Sequence, residues 1–371
     1  MDVLLVLAPG LVADRDLLVS LAETTAKELE VGLRTVVTAG SAETAAALAG
    51  NDGPAVALPA DRALMPAAPG SVVWYDLTVA AAVSGPNHLH GRGVWGLVWA
   101  IRHAVHRLRH PAERIAYGDH AEQWAEERVA GGPFSTPFLT PFSTPPRHWV
   151  GSSEAAGSDN SGRPSTVGVL IHGGFWRSIW AADLMDALAI DLAARGWIGW
   201  NLEYRRPDRH GWAATTADVA AGVAAARERH PGARIVLFGH SAGGQLALRL
   251  AADDPGIALA VSLAGVLDLG EGQRRFLGEG AITTALGGTP DEMPEVYAAS
   301  DPMRRLPLAS PALLVQGSGD GLDLVDINRR FAAASGIPLL EQAGDHFDVI
   351  TPGSPIWEAT MGEVDRTISR S

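Results

Sequence analysis

The chain has 371 residues, a length that favours two folded domains over one compact core. Its 42 Asp and Glu residues against 29 Lys and Arg give a formal net charge of −13, and no block of basic residues occurs, so neither a nucleic acid nor a membrane is an expected partner. There is no cysteine, which excludes disulfides, thiolate metal ligands and a cysteine nucleophile.

The N-terminal apolar run predicts a buried strand and not a secretory signal. Residues 3–7 are apolar, but no basic residue precedes them, and Pro9 and Gly10 end the run. No apolar run in the sequence reaches the length that a membrane span requires. We therefore expect a soluble, cytoplasmic protein.

Residues 1–110 alternate short apolar runs with helical stretches. This alternation is typical of a small parallel sheet covered by helices, and it predicts a separate α/β domain over these residues. The predicted strands are residues 3–7, 33–37, 55–58 and 72–75, and the predicted helices are residues 14–30 and 94–108.

Residues 131–166 differ in composition from the regions on either side. Pro, Ser and Gly dominate this stretch, which predicts a flexible insertion. From residue 167 the β–α alternation resumes and predicts a doubly wound α/β sheet, whose ligands bind at the carboxyl ends of the strands. The predicted strands of this sheet are residues 167–171, 197–202, 235–238, 259–263, 312–316 and 339–341.

The strongest chemical signal is a Gly-x-Ser-x-Gly motif at residues 239–243. It lies between a predicted strand and a helical stretch, which is the context of a nucleophile elbow. The turn is so tight that the neighbours of the serine must be small, as Gly239, Ala242 and Gly243 are. We therefore predict Ser241 as a nucleophile and the backbone N–H of Ala242 as a donor to an oxyanion.

A second glycine-rich turn, residues 172–176, follows the predicted strand 167–171 and reads His-Gly-Gly-Phe-Trp. Consecutive glycines let backbone N–H groups approach a substrate oxygen, because no β-carbon blocks them. Such a loop accompanies the nucleophile elbow as part of the oxyanion hole. We therefore predict that Gly173 and Gly174 belong to an oxyanion hole.

A serine nucleophile needs a base, and the base needs an acid that orients it. His346 is the only histidine after His240, so it is the predicted base. Asp320, in a turn directly after a predicted strand, is the preferred acid, and Asp323 and Asp326 are the alternatives. This chemistry needs no metal and no other cofactor.

Three aromatic residues near these turns are candidates for substrate binding. Phe175 and Trp176 follow the glycine pair, and Tyr204 follows the predicted strand 197–202 on the same side of the sheet. The alternative for Trp176 is packing in the core, and the alternative for Tyr204 is a link between the strand and the next loop.

On these motifs, residues 114–371 resemble the kynurenine formamidase (arylformamidase) and related esterase group of α/β-hydrolases. The resemblance implies an α/β-hydrolase domain over residues 111–371, with residues 131–166 as an insertion within it. The matching segments are the His-Gly-Gly-x-Trp motif at 172–176, the nucleophile segment 239–244, the histidine segment 345–347, and an opening strand at 116–118 with Gln123 nearby.

Residues 1–110 are similar to type II dehydroquinases, which are small flavodoxin-like domains. The likeness rests on the opening strand with Pro9 and Gly10, the β–α order, and residues 91–97 at the start of the last helix. The active-site asparagine and histidine of that family have no counterpart, because residues 73–76 read Val-Trp-Tyr-Asp. The resemblance therefore implies a flavodoxin-like domain without dehydratase activity. Because a second domain without chemistry of its own most often supplies an interface, we expect it to serve in homo-oligomer assembly or in covering the hydrolase site. The alternative is that it binds a small ligand at its strand ends.

The sequence thus predicts a serine hydrolase of the carboxylesterase or arylformamidase type, cleaving a small ester or amide through an acyl-enzyme. Two alternatives stay open. One is a non-catalytic binding or scaffold protein, against which the complete set of triad and oxyanion residues argues. The other is a peptidase of the prolyl-oligopeptidase type, against which the lack of a propeller-length accessory region argues.

Overall fold

The structure, a computed structural model, describes residues 1–65, 70–80, 87–130 and 165–369. The chain divides into two compact units, Met1–Pro111 and Ala112–Ser371. Except for its last two residues, the predicted insertion 131–166 lies outside the described residues. Among the helices that are described, none is both long enough and apolar enough to cross a bilayer.

The first unit is built on one parallel sheet. Its strands are β1 (Asp2–Leu7), β2 (Gly32–Val37), β3 (Ala55–Leu58), β4 (Val72–Asp76) and β5 (His88–His90), and its helices are α1 (Arg15–Glu28), α2 (Ser41–Ala49) and α3 (Gly96–Arg109). The strands follow the order β2-β1-β3-β4-β5, and all pairs are parallel. This is the flavodoxin-like order, so the predicted fold class of this unit is confirmed.

Strand β1 shows why helices cover both faces of this sheet. Successive side chains of a strand point to opposite faces. Val3 and Leu5 join a core cluster with α1 and α3, whereas Leu4 and Val6 join a cluster with Leu48 of α2. A strand that is apolar on both faces is stable only between two layers of helices, as in other parallel sheets.

The second unit is built on an eight-stranded mixed sheet. Its strands are β6 (Glu113–Ala116), β7 (Trp124–Arg128), β8 (Thr166–Ile171), β9 (Ile198–Leu202), β10 (Arg234–His240), β11 (Leu259–Leu263), β12 (Ala312–Gly317) and β13 (Leu339–Gln342). The order is β13-β12-β11-β10-β8-β9-β7-β6. Strand β7 is antiparallel to both its neighbours, and the other pairs are parallel. The predicted doubly wound α/β class is therefore confirmed.

Nine α-helices accompany the described strands of the second unit. They are α4 (Asp186–Ala194), α5 (Pro207–His210), α6 (Trp212–Arg229), α7 (Ala242–Ala251), α8 (Leu269–Arg274), α9 (Ala281–Leu286), α10 (Pro294–Ser300), α11 (Leu322–Ser335) and α12 (Pro355–Ile368). Helices α8 to α10 all lie between β11 and β12, in a stretch for which the sequence analysis gave no elements.

The sheet brings the predicted site residues to one edge. Gly173 follows β8, Ser241 follows β10, Asp320 follows β12 and His346 follows β13. These four strands are parallel members of the same sheet, so their carboxyl ends share one edge. The central strands β8, β10 and β11 are almost entirely buried, which makes this edge a rigid base for the loops above it.

Candidate active site

Ser241 occupies a strained turn between β10 and α7. Its φ of 54° and ψ of −116° are unusual for a residue with a side chain. The residues two positions before and after it must be glycine. A β-carbon on Gly239 would collide with the carbonyl oxygen of Gly243, and one on Gly243 would collide with that of Ile171. This is the geometry of a nucleophile elbow, in which backbone strain fixes the serine side chain at the strand end.

His346 and Asp320 form a hydrogen-bonded pair. Nδ1 of His346 lies 2.8 Å from Oδ2 of Asp320. Asp320 also accepts hydrogen bonds from the side-chain amide of Gln316 at 3.0 Å and from the backbone N–H of Gly321 at 2.6 Å. With Nδ1 donating to the carboxylate, Nε2 of His346 is the ring nitrogen left to accept a proton.

The charge state of Asp320 suits this pairing. Burial alone would raise the pKa of the Asp320 carboxyl, but the hydrogen bonds and charge of His346, together with Gln316 and Gly321, outweigh it and bring the pKa below its ordinary value. Asp320 is therefore a carboxylate at neutral pH, where it holds the imidazole in one tautomer and can stabilise an imidazolium.

The two alternative acids lie elsewhere. Asp323 and Asp326 both form ion pairs with Arg275, at 3.1 and 2.6 Å, and each carboxylate is about half exposed. Of the three candidate acids, the structure brings only Asp320 to His346.

His240 is a further residue at the site, to which sequence reasoning gave no role. Its Nε2 lies 2.9 Å from the backbone carbonyl oxygen of His346, and the two rings are 4.7 Å apart. Burial, and next the neighbouring charge of His346, lower the pKa of His240 to about 3, so this imidazole is neutral and donates to the carbonyl. His240 therefore positions the backbone of His346. The motif could not reveal this, because its second position accepts many residues.

The glycine pair after β8 lies directly against the serine. A β-carbon on Gly173 would sit 2.9 Å from Cβ of Ser241 and 2.7 Å from the carbonyl oxygen of His240. Gly174 has a φ of 104°, which favours glycine, and a β-carbon there would collide with Trp180. The loop backbone can therefore approach an oxygen bound at Ser241, beside the N–H of Ala242 at the start of α7.

Buried polar side chains hold this loop in position. Nδ1 of His172 lies 2.8 Å from the carbonyl oxygen of Gly173, and Nε2 lies 3.4 Å from Glu203. The His172 ring stacks on Tyr204, whose hydroxyl donates to the carbonyl oxygen of His172 at 2.8 Å. These contacts fix the main chain of the loop, and all three bracing side chains are buried.

The structure assigns the three candidate aromatic residues to different environments. Trp176 and Tyr204 are almost fully buried, but so is Ser241, so substrate binding by these two rings stays a prediction beside core packing. The Trp176 indole N–H donates to Gln245 at 3.2 Å. Phe175 is partly exposed and packs against Gly278.

Substituting Gly173 with alanine should lower the turnover number by about 10²-fold or more, because the methyl group would displace the loop that supplies the oxyanion donors. The measurement is kcat for a short-chain aryl ester, with circular dichroism to show that the fold is kept. The matched control is Gly362→Ala in α12, where a methyl group meets nothing within 4 Å. Near-normal kcat in Gly173→Ala would contradict the assignment of this loop.

Part of this chain is similar to a known protein family and to a known esterase. A family model described as the alpha/beta hydrolase family matches residues 169–362, more than half of the 371-residue chain. Esterase LipC of Mycobacterium tuberculosis (strain ATCC 25618 / H37Rv) is 29% identical over 192 residues, which are 46% of this chain and 48% of LipC. The chain thus spans about half the length of this curated relative.

Two solved structures illustrate the similarity of fold. An inhibited esterase B from Lactobacillus rhamnosis aligns with a TM-score of 0.53 and 15% identity, covering 73% of this chain and 91% of the esterase. A truncated carbohydrate esterase from gut microbiota aligns with a TM-score of 0.53 and 12% identity, covering 71% of this chain and 98% of that protein. At these identities the likeness concerns the fold alone.

Proposed function

This chain belongs to the alpha/beta hydrolase family, and we propose that it is a serine esterase that cleaves a small ester through an acyl-enzyme on Ser241. The single observation that carries the proposal is the 2.8 Å pair of His346 and Asp320 at the same sheet edge as the elbow serine. A base oriented by a buried carboxylate is what a serine hydroxyl needs to become a nucleophile.

Acylation is the first stage of the proposed reaction. Nε2 of His346 takes the proton from Oγ of Ser241 as Oγ bonds to the carbonyl carbon of the ester. The carbonyl oxygen becomes an oxyanion, which accepts hydrogen bonds from the N–H groups of Gly173, Gly174 and Ala242. When the carbonyl re-forms, the bond to the alcohol oxygen breaks, and that oxygen leaves with the proton held by His346.

Deacylation repeats these steps with water. His346 removes a proton from a water molecule, whose oxygen attacks the acyl carbon and forms a second oxyanion. The bond to Oγ of Ser241 then breaks, Oγ regains the proton from His346, and a carboxylic acid is released. Asp320 stays ionised throughout and stabilises the transient imidazolium.

The substrate class rests on two different kinds of support. The name of LipC supports an ester. The His-Gly-Gly-x-Trp sequence at residues 172–176, with its resemblance to arylformamidases, supports an N-formyl aryl amide as the second candidate. Both substrates present one carbonyl to the same nucleophile, so the mechanism does not distinguish between them.

A panel of substrates tests the proposal. We expect the purified protein to hydrolyse p-nitrophenyl esters of short acyl chains, because the site can activate Ser241 without a cofactor. The measurement is kcat/KM for these esters beside N-formyl aryl amides. A higher kcat/KM for the amides would assign the formamidase type, and a folded protein that cleaves neither class would overturn the proposed function.

A further inference from the structure

A second cluster of polar side chains lies outside the triad. His120 and Glu122 are in the turn between β6 and β7, and His210 is the last residue of α5. One donor atom from each of the three lies within 4.8 Å of the others. The two segments are 90 residues apart in the sequence, which is why no local motif indicated the cluster.

The turn that carries two of these residues is held in place. The backbone N–H of His120 donates to Oε1 of Gln123 at 3.0 Å, and Nε2 of Gln123 donates to Asp218 of α6 at 2.7 Å. Asp218 in turn binds the guanidinium of Arg205 at 2.8 Å, beside the segment that leads to α5. Within the turn, the backbone N–H of Glu122 also donates to Nδ1 of His120 at 3.2 Å, so one ring nitrogen of the cluster takes part in these contacts.

The carboxylate of Glu122 lies between an arginine and a histidine. Oε1 of Glu122 accepts a hydrogen bond from Arg206 at 3.1 Å. Oε2 is buried, and Nε2 of His210 lies 3.0 Å from it, which is an ion pair when the imidazole is protonated. The rings of His120 and His210 are 4.7 Å apart at 74° to each other. Two imidazoles thus lie near one carboxylate oxygen, whose contact with His210 a metal ion would replace.

We propose that His120, Glu122 and His210 bind one divalent transition-metal ion, with Zn²⁺ as the best match, and that water completes the coordination. Two imidazoles and one carboxylate form a donor set that suits Zn²⁺. Zinc bonds of about 2.0–2.2 Å place tetrahedral ligands about 3.4 Å apart. Nε2 of His210 and Oε2 of Glu122 are 3.0 Å apart, somewhat closer than this, and the donor atom of His120 lies within 4.8 Å of both, so it needs to close by at most about 1.4 Å.

The charge balance around the cluster favours a cation despite the nearby arginine. Arg206 is buried and contacts both Glu122 and Glu203, so two carboxylates share its single charge. By holding Oε1 of Glu122, it leaves Oε2 directed at the histidines, as outer-shell partners of metal ligands commonly do. The ion would tie the β6–β7 turn to the end of α5.

The test is a zinc titration of the full chain after treatment with a chelator. We expect one equivalent of Zn²⁺ to bind and to raise the melting temperature, because a ligand that binds only the folded state stabilises it. His120→Gln and His210→Gln should each weaken binding by more than about 100-fold, since each removes a ligand. His230→Gln, which removes a histidine bound to Glu127 elsewhere in this unit, is the matched control and should bind normally.

Three results would overturn the proposal. One is a double His120→Gln, His210→Gln variant that binds zinc as the wild type does. The second is an anomalous difference map, recorded at the zinc edge from wild-type crystals grown with ZnCl₂, that has no peak between the three side chains. The map uses the unaltered protein, so the proposal stays testable if a variant does not fold. An ion found only at His346 and Asp320 would also contradict it.

Discussion

Replacing Ser241 with alanine should reduce the turnover number for a short-chain aryl ester by about 10⁴- to 10⁶-fold. Alanine removes only Oγ, the atom that forms the acyl bond, so the remaining rate comes from the oxyanion donors and from substrate binding. The measurement is kcat under saturating p-nitrophenyl ester, with the melting temperature as the check on folding.

The matched control is Ser20→Ala on the exposed surface of α1, which should keep full activity. A Ser241→Ala protein that retains more than about a tenth of the wild-type rate would show that another group attacks the ester.

Asp320→Asn should lower kcat by about 10⁴-fold, while Asp323→Asn and Asp326→Asn should stay near the wild-type rate. Asparagine has no charged oxygen to accept the hydrogen bond from Nδ1 of His346. The imidazole therefore loses the group that fixes its tautomer and the negative charge that stabilises its protonated form. The other two carboxylates bind Arg275 and do not reach the imidazole in this structure.

The three Asp→Asn variants should be compared in the same assay, since each removes one negative charge and the three positions lie close together in the sequence. If Asp323→Asn or Asp326→Asn loses activity and Asp320→Asn keeps it, the pairing of Asp320 with His346 is not the functional one.

The elements that the sequence predicted best are those specified by local pattern. The predicted strands 167–171 and 235–238 correspond to β8 and β10 within a few residues, because each is a continuous apolar run that must be buried. The turn around Ser241 was predictable for the same local reason, since glycines at 239 and 243 have steric consequences within a single turn.

What sequence reasoning missed depends on tertiary contacts. Strand β5 has three residues, too few for an apolar pattern to indicate it. The buried contacts of Trp176 with Gln245 and of Tyr204 with His172 join distant parts of the chain, so no local pattern indicated them. Likewise, the ion pairs that occupy Asp323 and Asp326 come from Arg275, a residue outside any recognisable motif.

The central claim, that Ser241 is an activated nucleophile, is tested most directly by labelling the wild-type protein with a fluorophosphonate and locating the adduct by peptide mass spectrometry. Such reagents bond to a serine whose hydroxyl a neighbouring base has activated, so the chemistry reports on Ser241 and His346 together. We expect one adduct per chain, on the peptide containing Ser241, and no adduct in Ser241→Ala. An unlabelled wild-type protein, or an adduct on another serine that persists in Ser241→Ala, would contradict the account.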